Sequence, residues 1–281
     1  NIKNIFSYLR RYPFHVLNDF SNLIKIIKKD IPVLYTDHIF GNIAHQARYK
    51  IGEIYSENIT LINLLNDFDQ LRIADKKTKV SFKSDSFDLF FMTNLIKKFR
   101  LKSIIEYGSG ASTIAFADLL EKKIINKFIS IESETKWKKS TEDCVKKLIP
   151  GISNNFEVSF SPISDASEFG YKNGCFYSLA PKEIFDFIYI DGPNYTNSKY
   201  KYSICPILLK QVSINTIIFV DGRAKTCKEI KKALINKNIY WKEFAVGFPS
   251  DDTIFINSKS KKYELLLSAY SKFLLKKPFY Y

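Results

Sequence analysis

Between residues 101 and 258 the chain alternates short apolar runs with amphipathic stretches. Ile104-Ile105, Phe128-Ile129, Phe187-Ile188-Tyr189-Ile190 and Ile217-Ile218-Phe219-Val220 are dense in β-branched and aromatic residues, with little polar alternation. Runs of that kind mark strands buried on both faces. The pattern predicts strands at 102–107, 127–131, 156–160, 185–190 and 216–220, and helices at 113–120, 134–148, 198–209 and 225–234. Such alternation implies a parallel sheet covered on both faces and joined by right-handed crossovers. The ending differs. Two strands at 240–246 and 253–257 are joined by the short turn Gly247-Phe248-Pro249-Ser250-Asp251-Asp252, which favours an antiparallel pair and so a mixed sheet. A last amphipathic helix is predicted over 262–276, through Leu265, Leu266, Leu267, Tyr270 and Leu274.

The first hundred residues are different in kind. Apolar positions recur at helical spacing through Val16, Leu17, Phe20, Leu23, Ile24 and Ile27, and again from Ile39 to Ile54 and from Leu61 to Leu71. The polar stretch Asp75-Lys76-Lys77-Thr78-Lys79 reads as a linker, and Ser84 or Asp85 as the cap of a helix through Phe87, Phe90, Phe91, Leu95 and Phe99. The expected organisation is a helical accessory region over 1–80 and an α/β domain over 81–281. The accessory region suits a homodimer interface or a lid over the acceptor. Its first stripe, with Arg10, Arg11, Lys25, Lys28 and Lys29 around it, also suits an anionic membrane surface.

In an open α/β sheet, ligands gather outside the carboxyl ends of the strands. Here those ends carry acids: Glu106 before Gly108-Ser109-Gly110, then Glu132-Ser133, Asp191-Gly192-Pro193 and Asp221-Gly222-Arg223. The glycines allow a tight turn and close backbone approach to a ligand. Glu132 stands where a carboxylate can accept both hydroxyls of a ribose, with Ser133 free to cap the following helix.

The segments Ile105-Glu106-Tyr107-Gly108-Ser109-Gly110, Ser130-Ile131-Glu132 and Asp186-Phe187-Ile188-Tyr189-Ile190-Asp191-Gly192-Pro193, followed by the terminal hairpin, resemble class I S-adenosylmethionine-dependent methyltransferases. The resemblance covers roughly 101–258. It implies a Rossmann-like, doubly wound, seven-stranded mixed sheet in which only the last strand is inserted antiparallel. It also implies that Glu106, Tyr107 and the loop Gly108, Ser109 and Gly110 line the methionine and sulfonium end of S-adenosyl-L-methionine. Ser112 and Thr113 open the following helix within the same set. Glu132 and Ser133 would serve the ribose, the segment 161–168 with Asp165 the adenine, and Asp191 the cofactor's other side. The sequence departs from the family at Ser112, where a third glycine is usual. A dinucleotide fold is the natural competitor, but it needs that glycine, and Glu106 would repel a phosphate.

Methyl transfer to a hydroxyl requires removal of its proton. Asp191 or Asp221 is the expected base, assisted by Tyr195, Lys199 or Lys201. Alternatively the two aspartates share a magnesium ion, with Asn194 as a further oxygen donor. The acceptor class expected is a small molecule or a saccharide, with Arg223 available to an acidic one. The formal charge of +14 keeps an RNA acceptor open as the alternative, and a non-catalytic scaffold is the third reading.

Four scattered cysteines without a C-x-x-C pair argue against a zinc or disulfide framework, and for a reducing, cytoplasmic setting. No run of about 18 apolar residues is present, so no transmembrane helix is expected. The sequence opens at Asn1 rather than Met, which leaves an upstream segment open.

Overall fold

The computed structural model describes residues 86–152, 156–195, 199–237, 240–246 and 252–264. The three N-terminal stripes, the linker, the boundary near residue 80 and the cap at Ser84 or Asp85 lie outside them. The described chain begins with α1 (Ser86–Phe99), which leads into β1 (Ser103–Tyr107). There follow α2 (Ala111–Glu121), β2 (Lys127–Glu132), α3 (Thr135–Leu148) and β3 (Val158–Phe160). Two short strands come next, β4 (Ile163–Asp165) and β5 (Gly174–Tyr177), then β6 (Phe187–Ile190), β7 (Tyr202–Ser203) and α4 (Cys205–Leu208). The series closes with β8 (Ile217–Val220), α5 (Ala224–Lys237), β9 (Trp241–Val246) and β10 (Asp252–Asn257).

Seven strands form one sheet in the order β3-β2-β1-β6-β8-β10-β9. All pairs from β3 to β8 are parallel, whereas β10 runs antiparallel to both β8 and β9. The expected mixed sheet with one inserted antiparallel strand is therefore present. Because the chain winds outward from β1 to β3 and then returns to β6, strand order reverses between β1 and β6, which opens a crevice at their carboxyl ends.

On one face, α1, α2 and α3 cover the sheet. Phe116 of α2 sits at the centre, edge-on to Phe128 at 5.5 Å, Phe187 at 6.1 Å and Tyr189 at 5.9 Å. Truncating such a ring to alanine costs roughly 3–5 kcal/mol.

The other face corrects the sequence reading. The helix predicted over 198–209 is replaced by β7 and the single turn α4. Pro206 stands in that turn's first positions, where a missing N–H costs nothing. The preceding residues pair instead with β5, Gly174 opposite Tyr202 and Cys175 opposite Ser203, in a small sheet of order β4-β5-β7. That sheet, α4 and α5 cover the second face, so Tyr177 of β5 stacks on Tyr107 of β1 with ring centroids 5.3 Å apart. Of the helix predicted over 262–276, residues 261–264 are helical and the rest lies outside the described residues.

Candidate functional site

The crevice is built by two backbones in contact. Gly108, just past β1, has φ +96°, and a Cβ there would stand 2.7 Å from the Gly192 nitrogen. A Cβ on Gly192 would meet the Gly108 Cα at 2.7 Å and the Tyr177 hydroxyl at 2.3 Å. The loops after β1 and β6 thus touch where no side chain fits. The Asp191 N–H, donating to the Tyr107 carbonyl at 2.9 Å, extends the β1–β6 pairing up to that crossing. Gly110 differs: its φ of 176° is ordinary extended backbone, and a Cβ there would meet nothing within 4 Å. Its contribution is open space above the loop rather than a special conformation.

Two carboxylates hold this loop from below and from the side. Strand alternation turns Glu106 away from Tyr107, toward α2, where it is fully buried. It accepts hydrogen bonds from Ser112 Oγ at 2.5 Å, Thr113 Oγ1 at 2.6 Å and Ser130 Oγ at 2.6 Å. Thr113 Oγ1 in turn accepts the Gly110 N–H at 2.8 Å. Burial pushes the Glu106 carboxyl up to about 7, against the pull of these three hydroxyls and with help from nearby Glu132. Ser112 replaces the usual third glycine for a physical reason, since its hydroxyl is a partner of Glu106. Glu106, Ser112 and Thr113, expected to contact the cofactor, are turned inward and anchor the loop. Tyr107 is also enclosed, with its hydroxyl donating to Gln211 Oε1 at 2.6 Å.

Glu132, at the end of β2, is buried but reaches the loop. Its Oε2 accepts from the Ser109 N–H at 3.1 Å and the Ser109 hydroxyl at 3.3 Å. Its Oε1 accepts from the N–H groups of Ser133 at 2.6 Å and Glu134 at 3.0 Å, and from the Ser133 hydroxyl at 3.3 Å. The Ser133 hydroxyl therefore leans on Glu132 and does not cap α3, which has no side-chain cap. Glu132 thus supplies an acceptor for the two backbone amides that lead into α3. Burial raises the Glu132 pKa while these amides hold it down. Trp137 adds a clamp that the sequence reading missed, its indole N–H donating to the Ser109 carbonyl.

Beyond the crossing, Arg223 grips the loop after β6. Nη1 donates to the Pro193 carbonyl at 2.7 Å, and Nη2 to the Asp191 carbonyl and, at 3.2 Å, to Asp191 Oδ1. Its guanidinium also lies over the Tyr195 ring at 5.2 Å. The crowded surroundings of Asp191 and the charge of Asp221 raise its pKa, and Arg223 opposes them. Since 49% of the Asp191 side chain stays open, water relieves part of that rise. Asp221, at the end of β8, accepts the Tyr189 hydroxyl on Oδ2 at 2.6 Å.

The remaining candidates are scattered. Lys199 is 69% exposed and pairs with Asp165 at 2.9 Å. Asp165 also accepts the Ser167 N–H at 2.8 Å, and these partners hold its carboxyl down at about 2. The Tyr195 hydroxyl is engaged with Thr226 Oγ1 at 3.2 Å, and burial pushes its pKa up. Neither Lys199 nor Tyr195 is poised as a base. The donor set does not fit the magnesium ion that the sequence allowed. Asp191 already faces a guanidinium, Asp221 a phenol, and no cluster of three metal-binding side chains exists among the described residues.

No family model matches the sequence, and no curated protein does. Solved structures align over most of the chain at low identity. A methyltransferase of Podospora anserina with SAH bound is 14% identical over 81% of this chain and 97% of its own, with a TM-score of 0.47. An O-methyltransferase of Bacillus cereus in complex with SAH is 18% identical over 71% of this chain and 90% of its own, at 0.42. A putative caffeoyl-CoA O-methyltransferase of Staphylococcus aureus is 15% identical over 75% and 99%, at 0.45. Superpositions this loose say nothing about activity, for which the site's own geometry is the ground.

No described helix is long and apolar enough to cross a membrane.

Proposed function

We propose that this chain is an S-adenosylmethionine-dependent methyltransferase acting on a hydroxyl of a small molecule or saccharide. The observation that carries the reading is the glycine crossing of Gly108 and Gly192 at the reversal of strand order, with Glu132 at the neighbouring strand end. The residues fit such a cofactor. Gly110 leaves free space above the loop, and the two 3.3 Å hydroxyl contacts of Glu132 are long enough for a ribose diol to replace them. When bound, the cofactor supplies a methyl group already activated on a sulfonium.

The chain's own share of the work is then alignment, exclusion of water and proton removal. Asp221 suits the last task. Tyr189 fixes one of its oxygens, and the other makes no hydrogen bond among the described residues. An acceptor hydroxyl held beside Asp221 would give its proton to that oxygen, while the bound cofactor would supply the methyl group and leave as the neutral thioether. Calorimetric titration with S-adenosylmethionine, S-adenosylhomocysteine and NAD tests the cofactor. The two sulfur nucleosides should bind, and Glu132→Ala should abolish both. Binding of NAD alone, or of none, would overturn the reading.

A further inference from the structure

Beyond Arg223 the surface carries lysines and aromatic rings that the cofactor reading leaves without a task. They come from three segments. Lys172 precedes β5, Lys199 and Lys201 precede β7, and Lys225 and Lys228 stand on the first two turns of α5. Backbone contacts bring the three together. The Lys201 N–H donates to the Asn173 carbonyl at 2.8 Å, and the Tyr202 hydroxyl to the Lys172 carbonyl at 3.2 Å. Thr226 Oγ1 accepts the Ser203 N–H at 3.2 Å and lies 3.2 Å from the Tyr195 hydroxyl, which joins α5 both to β7 and to the loop after β6. Half-buried Tyr171, Tyr195, Tyr200 and Phe176 are interleaved with these lysines. Phe169 meets Phe176 edge-on at 5.8 Å and leaves 53% of itself open. The surface adjoins Asp221 through Arg223, which follows it by two residues in the chain and lies over the Tyr195 ring.

Lys199 spends its charge on Asp165, whereas Lys172, Lys201, Lys225 and Lys228 are exposed and pair with no acid among the described residues. Like charges gathered on one surface repel each other and attract an anion. A sugar ring adds what the aromatic residues can use, an apolar C–H face between its hydroxyls. We infer that this surface is the acceptor subsite and that the acceptor is an anionic saccharide, its acid groups on Lys172, Lys201, Lys225 and Lys228 and its ring faces on the aromatic side chains. A nucleic acid fits less well. Its phosphates form an unbroken track of charge, and Asp165, Glu168 and Glu229 interrupt the lysines here. The inference rests on the methyl-transfer reading above for what is done to the saccharide, but not for its binding.

The test titrates an oligogalacturonate, its neutral methyl ester and a short single-stranded RNA calorimetrically into wild type and two variants of the full chain. One variant replaces Lys172, Lys201, Lys225 and Lys228 by alanine. The other, of the same net charge, replaces the exposed Lys136, Lys139, Lys146 and Lys147 of α3. An exposed ion pair changes affinity by roughly fivefold at most, so four together should change it by roughly tenfold or more. The first variant should lose that factor for the oligogalacturonate, the α3 variant should stay near wild type, and the ester should bind wild type weakly. Both variants should keep the affinity for S-adenosylhomocysteine. No binding of the oligogalacturonate, or equal losses in the two variants, removes the inference and leaves the cofactor reading standing. RNA bound more tightly than the uronide through the same four lysines makes a nucleic acid the acceptor and removes it too. Lysine-dependent binding of the uronide without any binding of S-adenosylhomocysteine upholds the saccharide surface and removes the cofactor reading instead.

Discussion

Replacing Glu106 by glutamine deletes a proton-binding group from beneath the glycine loop while keeping the side chain's size. In the folded protein burial moves this carboxyl from an ordinary 4.5 to about 7. The folded state therefore holds a proton that the unfolded chain has released across that interval, and stability must fall as pH rises through it. The contribution is fully present below the unfolded value and lost above about 7. Integrated from about pH 5 to about pH 8, the loss is about 2.5 kcal/mol. The assay is urea unfolding of wild type and Glu106→Gln at several pH values across that range. Absolute stabilities are not the readout, because the amide must rearrange the hydroxyls of Ser112, Thr113 and Ser130. The difference between wild type and variant removes the titration of every group that does not interact with Glu106. Its fall with rising pH is the expected result. Parallel curves would show that the carboxylate is already ionised in the fold, and that three hydroxyls outweigh its desolvation.

Gly108→Ala, which meets the 191–192 backbone at 2.7–2.8 Å with φ +96°, should destabilise the fold by more than about 2 kcal/mol in thermal or urea unfolding. Gly110→Ala should leave stability within about 0.5 kcal/mol and weaken nucleoside binding, because its Cβ enters the open space above the loop. Asp221→Asn should lower kcat by roughly 10²–10⁴ while the calorimetric affinity for S-adenosylhomocysteine stays unchanged. Magnesium or a chelator should leave that affinity unchanged as well, since a guanidinium already occupies Asp191.

The parts of this fold that the sequence reveals are those where one property persists over enough residues. β1, β2, β6 and β8 are dense apolar runs, and the acids that end them mark the crevice. β4, β5 and β7 span only two to four residues, too few for a period to register, and the apolar run around Tyr202 reads equally well as a helix. The strand position of Glu106 is legible as well. Alternation in Ile104-Ile105-Glu106-Tyr107 already sets Glu106 on the face of Ile104, the face that α2 covers. Ser133 shows the reverse difficulty. A serine before a helix is a sound capping signal, but the Ser133 hydroxyl donates to Glu132 instead, and the cap position of α3 falls one residue later, at Glu134, without a side-chain cap. Nothing along the chain announces Tyr177, whose importance arises only when the inserted sheet folds over β1.

The position of β10 bears on how the protein is born. The ribosome delivers β8, α5 and β9 before 252–257, yet β9 meets the main sheet only through β10. Until those six residues emerge, β8 presents an unpaired row of amides and carbonyls, and β9 has no neighbour in the sheet. The nascent chain thus carries an open sheet edge from the completion of β8 until β10 emerges, an interval in which a stall or a premature stop would release a sticky product.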